Sequence, residues 1–427
     1  MRSVWRICRV VLLLAVACKA MAGQADTAAV KMPPCIDCAA DTLIFNGADW
    51  SLFFDSLRQL ADTADTAVRV VSIVHLGDSH VQAGFFTAPL RDSLQARWGD
   101  AGRGLMAPLR LCRTNEPTDY KITSENKWRY SRSVGRKYTY DEPGLCGIAI
   151  VPTRRRMHLD IATLSRTGDC RMFSVLRLFH GTSRRFPMLQ PADSLAGLRI
   201  ERRQPGETRY EWDASDATCR VELAGYRSLI ADSCAIYGVS VENGRSGVLV
   251  HGIGNNGAYY DCYNHIPDYG QKLSVLSPQL IVISMGTNES MGKADYATVY
   301  AAIDRLVATL RASNPDALLL LTTPGENKLR RRRKSNGRRR TYYVENRNLA
   351  VVRNAIVTYA AEHGLAVWDW YVISGGHGSC EALRSAGCLS GDRIHYTKEG
   401  YALQGTLLYK SIEKAYERYM EQNNRQP

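Results

Sequence analysis

The stretch Val70-Val71-Ser72-Ile73-Val74-His75-Leu76-Gly77-Asp78-Ser79-His80 decides the fold. Five of its first seven residues are Val, Ile or Leu, which suits a strand buried on both faces. The run breaks at Gly77. From Phe85 to Trp98 the spacing turns helical, with Phe86, Leu90, Leu94 and Trp98 near one face. A serine in the turn between such a strand and helix is displayed at the carboxyl edge of a sheet. Its backbone N–H then faces the anion-friendly end of the helix. That is a seat for a nucleophile.

Further along the chain, strands and helices alternate. Val248 to His251, Gln279 to Met285, Ala317 to Thr322 and Leu365 to Trp370 read as strands. Trp50 to Leu60, Ala294 to Ala312, Tyr343 to His363 and Lys398 to Glu421 read as helices. The pattern predicts an α/β core with a parallel sheet covered on both faces. Between about Pro108 and Asn243 the texture changes to short alternating runs, as in Met157 to Ile161, Arg171 to Phe179, Leu198 to Arg202, Thr208 to Trp212, Cys219 to Leu223 and Cys234 to Glu242. Their spacing predicts an inserted antiparallel β-sandwich. The expected organisation is a core over 49–107 and 244–427, interrupted by an insert over 108–243. Trp128, Tyr130, Tyr138, Tyr140 and Tyr210 of the insert fit either sugar stacking or an ordinary sandwich core.

The net charge of +13 is local. Residues 1–22 contain four basic side chains and no acid, and 328–340 contain nine and no acid. The rest of the chain balances 42 basic against 42 acidic residues. In the first segment Arg2, Arg6 and Arg9 precede an apolar run, Val10 to Ala17, too short to span a bilayer. It reads as a signal peptide, followed by a polar tether over 23–48, and predicts export to the periplasm or cell envelope. Ala20-Met21-Ala22 offers a cleavage site before Gly23, while Ala15-Val16-Ala17-Cys18 resembles a lipoprotein box that would lipidate Cys18. Simple cleavage is favoured, since such boxes usually carry Leu where Ala15 stands. The ten cysteines beyond Cys18 suggest disulfides in an oxidising compartment, with a Cys380–Cys388 bridge one candidate. The arginine-rich segment 328–340 fits a flexible solvated loop or an electrostatic hook for an anionic polymer. Nucleic acid is not expected, because the body of the protein is neutral.

Gly77-Asp78-Ser79 resembles block I of the SGNH/GDSL hydrolases. In order along the chain, Gly254-Asn255-Asn256-Gly257-Ala258 resembles block II, Gly286-Thr287-Asn288-Glu289 block III and Asp392-Arg393-Ile394-His395 block V. Each motif is weak alone, and four in sequence make a joint signal. The resemblance covers roughly 68–107 and 244–420, and the long insert between blocks I and II departs from the minimal family pattern. It implies a three-layer α/β/α, flavodoxin-like core.

The resemblance also implies Ser79 as nucleophile, His395 as general base and acid, and Asp392 as the group orienting His395. Ser79, Gly257 and Asn288 would donate to the oxyanion. Asp78 fits a helix-capping role at least as well as a catalytic one. No catalytic role is expected for His75, His80, His251 or His377, although the glycine loop around His377 could line the cleft. Gly-x-Ser-x-Gly and His-Glu-x-x-His motifs are both missing from the sequence, and no cofactor or metal is expected. Gly102-Arg103-Gly104 and His395-Tyr396-Thr397 with Gly400-Tyr401 further resemble periplasmic peptidoglycan O-acetylesterase-like members. The implied reaction is removal of an O-acetyl or other short acyl group from a polysaccharide. Acyl transfer to a sugar hydroxyl by the same residues, or a vestigial carbohydrate-binding scaffold, are the alternatives.

Overall fold

A computed structural model describes residues 32–424, apart from 62–66, 136–141, 155–156, 165–171, 182–188, 192–194, 204–205, 217, 224–234 and 336–337. The signal-peptide reading of 1–22 therefore lies outside the described residues. Five runs of branched apolar residues, Val70–Gly77, Gly247–Gly254, Leu280–Ser284, Leu318–Thr322 and Ala366–Trp368, form one all-parallel sheet. Numbered along the chain, their spatial order is 2-1-3-4-5, the flavodoxin-like order. Its crevice opens beyond the carboxyl ends of the first and third strands, where the winding reverses.

Alternation along the strands builds the layers. Val71, Ile73, Val250 and Val282 pack with Leu94 and Trp98 of the helix Thr87–Trp98 and with Leu408 and Ile412 of the closing helix Lys398–Asn423. Their neighbours Val74, Leu76, Ile281 and Ile283 point the other way, onto the helices Tyr296–Ser313 and Asn348–Glu362.

Among the described residues the insert contributes six strands to one antiparallel sheet, which Gly104–Met106 completes, and four strands to a second. Ile150, Leu176 and Tyr210 from the larger and Ile122, Leu159 and Ile161 from the smaller enter the same cluster as Val74 and Ile283. The insert thus has no separate main core, and residues Pro33–Pro427 form one compact unit. Gly104–Met106 already pairs with the insert's last strand, Ile236–Glu242. A buried carboxylate fastens the junction: Asp119 accepts from Arg91 of the core helix at 2.7 Å and from Arg103 at 3.0 Å.

Several expectations need correction. The described part of the tether packs into the structure: Ile36 and Leu43 are buried, and Ile44 and Val367 exchange backbone hydrogen bonds of 2.9 and 2.8 Å at the sheet edge. The basic segment 328–340 belongs to a two-stranded hairpin, Lys328–Ser335 with Arg338–Glu345. This displaces the start of the next helix from Tyr343 to Asn348. Thr341 to Val344 suits a strand because it is β-branched and aromatic.

The eight described cysteines are unbridged. Cys380 Sγ approaches the Arg393 carbonyl and Cys388 Sγ the Ala386 carbonyl, each at 3.9 Å, so the two thiols address different backbone groups. Backbone bonds close that loop in place of sulfur, Ser390 donating to His395 O at 2.8 Å and Thr397 to Cys388 O at 3.0 Å. Trp128 and Tyr210 are buried, which makes them core residues, whereas Tyr138 and Tyr140 lie outside the described residues.

Candidate active site

Val70–Gly77 ends on a glycine that admits no side chain: a Cβ would lie 2.4 Å from Val81 Cγ2 and 2.7 Å from Ser284 O. Asp78 then caps the one-turn helix Ser79–Gln82, its Oδ1 accepting from His80 N at 2.9 Å. That turn sets Ser79 at the mouth of the crevice, 316 residues from its partner. Ser79 Oγ lies 3.0 Å from His395 Nε2.

His395 Nδ1 lies 2.7 Å from Asp392 Oδ2. A carboxylate only accepts, so the proton sits on Nδ1, and Nε2 is free to accept from the Ser79 hydroxyl. Asp392 is itself fixed by Ser390 Oγ at 2.5 Å and by the backbone N–H groups of Ile394 at 2.9 Å and His395 at 3.0 Å. Burial alone would raise the Asp392 pKa, but hydrogen bonds from His395, Ser390 and the backbone outweigh it and hold the carboxylate well below its usual range. His395 is shifted up, first by its hydrogen bond to Asp392, which overcomes burial. Its side chain is 42% exposed, so the base is open to water.

Ser79, Gly257, Asn288 and His395 share one cleft of about 510 Å³, with Phe85, Asn115, Asn256 and Tyr401 among its other walls. Gly257 holds φ +81°, a left-handed conformation that aims its N–H without a side chain in the way. Among the described residues neither the Ser79 nor the Gly257 N–H has a hydrogen-bond partner. Asn288 differs. Its amide donates to Ala258 O at 3.0 Å and to Asp78 Oδ2 at 3.2 Å, so both hydrogens are engaged in this state. Asp78 is fully buried and its pKa is pushed up to about 7 by that burial, with the His80 N–H and the charge of His395 pulling the other way. Its neighbour Glu289 is also pushed up to about 7 by burial, and accepts from Tyr260 N at 2.7 Å.

Sequence reasoning missed a polar wall built by Gln82. Its Oε1 accepts from Asn256 N at 2.6 Å, and its amide donates to Thr114 Oγ1 at 2.9 Å and Asn115 O at 2.7 Å. This wall joins block II to the first residues of the insert, and no motif marks Gln82 or Asn115. The other histidines sort as structural. His75 hydrogen-bonds with Ser284 Oγ and Thr87 Oγ1, each at 2.9 Å, beneath the sheet end. His251 accepts from Leu105 N at 3.1 Å. His377 is exposed, with Nδ1 3.4 Å from Glu326 Oε1, and does not wall the cleft.

Residues 214–403 match the model of the GDSL-like Lipase/Acylhydrolase family. The match carries blocks II, III and V but begins beyond Ser79, since the insert parts block I from the rest. In the structure Ser79 nevertheless lines the same cleft as Gly257, Asn288 and His395. Over residues 214–403 this chain is similar to the GDSL-like acylhydrolases. Its fold is that of a solved structure described as a peptidoglycan O-acetylesterase in action, at TM-score 0.70 and 21% identity over 88% of this chain and 99% of that one. A lipase/acylhydrolase from Enterococcus faecalis matches at 18% identity over 40% of this chain and 77% of that one, with a TM-score of 0.29. No curated protein matches this chain.

Proposed function

We propose that this protein is an exported serine esterase that removes O-acetyl or other short acyl groups from a cell-wall or other polysaccharide. The observation that carries the reading is the Ser79–His395–Asp392 chain of hydrogen bonds, 3.0 and 2.7 Å long, at the mouth of an open cleft. An intact relay of this kind speaks against a vestigial scaffold. The match of 214–403 to the GDSL-like acylhydrolase model supports ester chemistry, and the fold shared with a peptidoglycan O-acetylesterase supports an acylated glycan as substrate.

In this mechanism Ser79 Oγ attacks the ester carbonyl carbon while His395 Nε2 takes the hydroxyl proton. Asp392 keeps the second proton on Nδ1 and steadies the imidazolium. The carbonyl oxygen, now negative, is held by the N–H groups of Ser79 and Gly257. Asn288 joins them if its long bond to Asp78 yields. Collapse breaks the bond to the sugar oxygen, which leaves with the proton from His395. Water, activated by the same imidazole, then releases the acid and restores Ser79. Each oxyanion donor is worth roughly 3–4 kcal/mol of transition-state stabilisation.

The test is p-nitrophenyl acetate hydrolysis by the parent protein and Ser79→Ala, followed by acetate release from O-acetylated peptidoglycan and from acetylated xylan. The parent should turn over and the variant should not. Equal rates would remove the esterase reading, and the second assay identifies the glycan.

A further inference from the structure

The hairpin Lys328–Ser335 with Arg338–Glu345 leaves the carboxyl end of the fourth core strand, on the same edge of the sheet as Ser79. Its base is bolted to the loop that carries Asp392 and His395. Lys328 N donates to Arg393 O at 3.1 Å, Tyr343 OH donates to Gly391 O at 2.9 Å, and the Arg393 guanidinium lies 4.0 Å above the Tyr343 ring. Lys328 Nζ adds an ion pair with Glu381 at 3.0 Å.

Beyond this base the register places like charges opposite one another, Arg333 against Arg340. Such pairs repel, and a lone two-stranded hairpin is marginal to begin with. The side chains of Arg330 to Lys334 and of Arg340 are exposed, and none of these residues forms an ion pair among the described residues. Arg331, Arg333, Arg340 and Tyr342 share one face, and Tyr342 is 45% exposed. Guanidinium groups grip carboxylate or phosphate oxygens in pairs, and an exposed ring between them offers a flat surface to a sugar.

We infer that this hairpin is a docking arm for an anionic polysaccharide whose repeating units carry carboxylate or phosphate groups, holding the polymer beside the Ser79 cleft. The choice of a glycan as the polyanion rests on the esterase reading above, whereas the anion-binding surface stands on the hairpin alone. Docking of this kind neutralises the facing cations and falls with ionic strength.

The test uses full-length protein carrying Ser79→Ala, so that binding is read without turnover and a failed esterase assay leaves it intact. Fluorescence anisotropy is measured with labelled polygalacturonate, poly(glycerol phosphate), neutral dextran, duplex DNA and anionic phospholipid vesicles. One or both anionic glycan polymers should bind, dextran should not, and affinity should drop at least about tenfold between low and high salt. Arg331→Gln with Arg333→Gln and Arg340→Gln should weaken binding by about tenfold or more. The same three positions changed to Lys should retain most of it, which separates lost charge from lost folding. Unchanged binding by the Gln variant overturns the proposal. So does the failure of both glycan polymers to bind, or tighter binding of DNA or vesicles than of either.

Discussion

The imidazole of His80 stacks on that of His395, with ring centroids 5.3 Å apart and planes 29° from parallel. His80 is half-buried and its Nδ1 lies 2.9 Å from the Tyr401 hydroxyl. Burial pushes its pKa down to about 3, and the charge of His395 adds to that. It therefore stays neutral across the working range and acts as a flat support against which the base is set. His80→Ala should lower kcat by about tenfold to a hundredfold with KM little changed, the scale of a small misplacement of a reacting group. His80→Phe should recover most of the loss. Equal kcat for the Ala variant and the parent would sink this role.

The pH profile follows from the upward shift of His395. A general base must be neutral, so kcat/KM should rise with pH and level off above a midpoint higher than the ordinary histidine value of about 6.5. The hydrogen bond to Asp392 is the largest cause of that shift. Asp392→Asn should move the midpoint down and reduce kcat by about four orders of magnitude, through loss of the correct tautomer. A profile whose midpoint ignores residue 392 contradicts the assignment.

Much of this site is legible before any coordinates, and the reasons are physical. Gly77 and Ser79 sit at an abrupt stop in an apolar run, and such stops fall at the carboxyl ends of strands, whereas His395 follows no such run and is marked only by its three-residue spacing from Asp392. The Arg-rich hairpin was harder to read because its charge masks its β-forming residues. Ile36 is an isolated apolar residue and Leu43-Ile44-Phe45 a run of only three, too short for its period to announce that Ile36 and Leu43 join the cluster containing the closing helix. The wall of Gln82, Asn115 and Asn256 depends on contacts across the insert junction, beyond the reach of periodicity.

Gly257→Ala probes the oxyanion contribution. Its added Cβ would meet only Val134 Cγ1, at an ordinary 3.5 Å, so space is not the obstacle. The obstacle is φ +81°, which costs a residue with a side chain about 1–2 kcal/mol. Relief by rotation of the backbone turns the N–H out of the cleft. The expected outcome is a loss of about a hundredfold in kcat with only a small drop in Tm. A large loss of Tm with kcat preserved in the folded fraction would contradict it.

Asp119→Asn tests the junction. Burial would raise the Asp119 pKa, but Arg103 and Arg91 outweigh it and hold the carboxyl well below its ordinary value. A depressed folded-state pKa gives stability that is fully present above the unfolded value of about 3.9 and fades as pH falls through the folded one. The substitution leaves buried Arg103 without this counter-charge and Arg91 with only the longer contact to Asp92 at 3.5 Å, so unfolding at neutral pH should become easier by about 3–5 kcal/mol. The gap between variant and parent in urea denaturation should narrow in strong acid. A gap that widens there would contradict the sign.

The apolar cluster joining Val74 and Ile283 of the parallel sheet to Ile150, Leu176 and Ile161 of the two antiparallel sheets has a consequence for how this chain could have arisen. A lineage that lost residues 108–243 would strip one flank of its own hydrolase framework bare, so shortening back to a minimal enzyme would require new packing at many positions at once. The added sheets are structurally committed, and melting should show one transition where a loosely hung accessory module would show two.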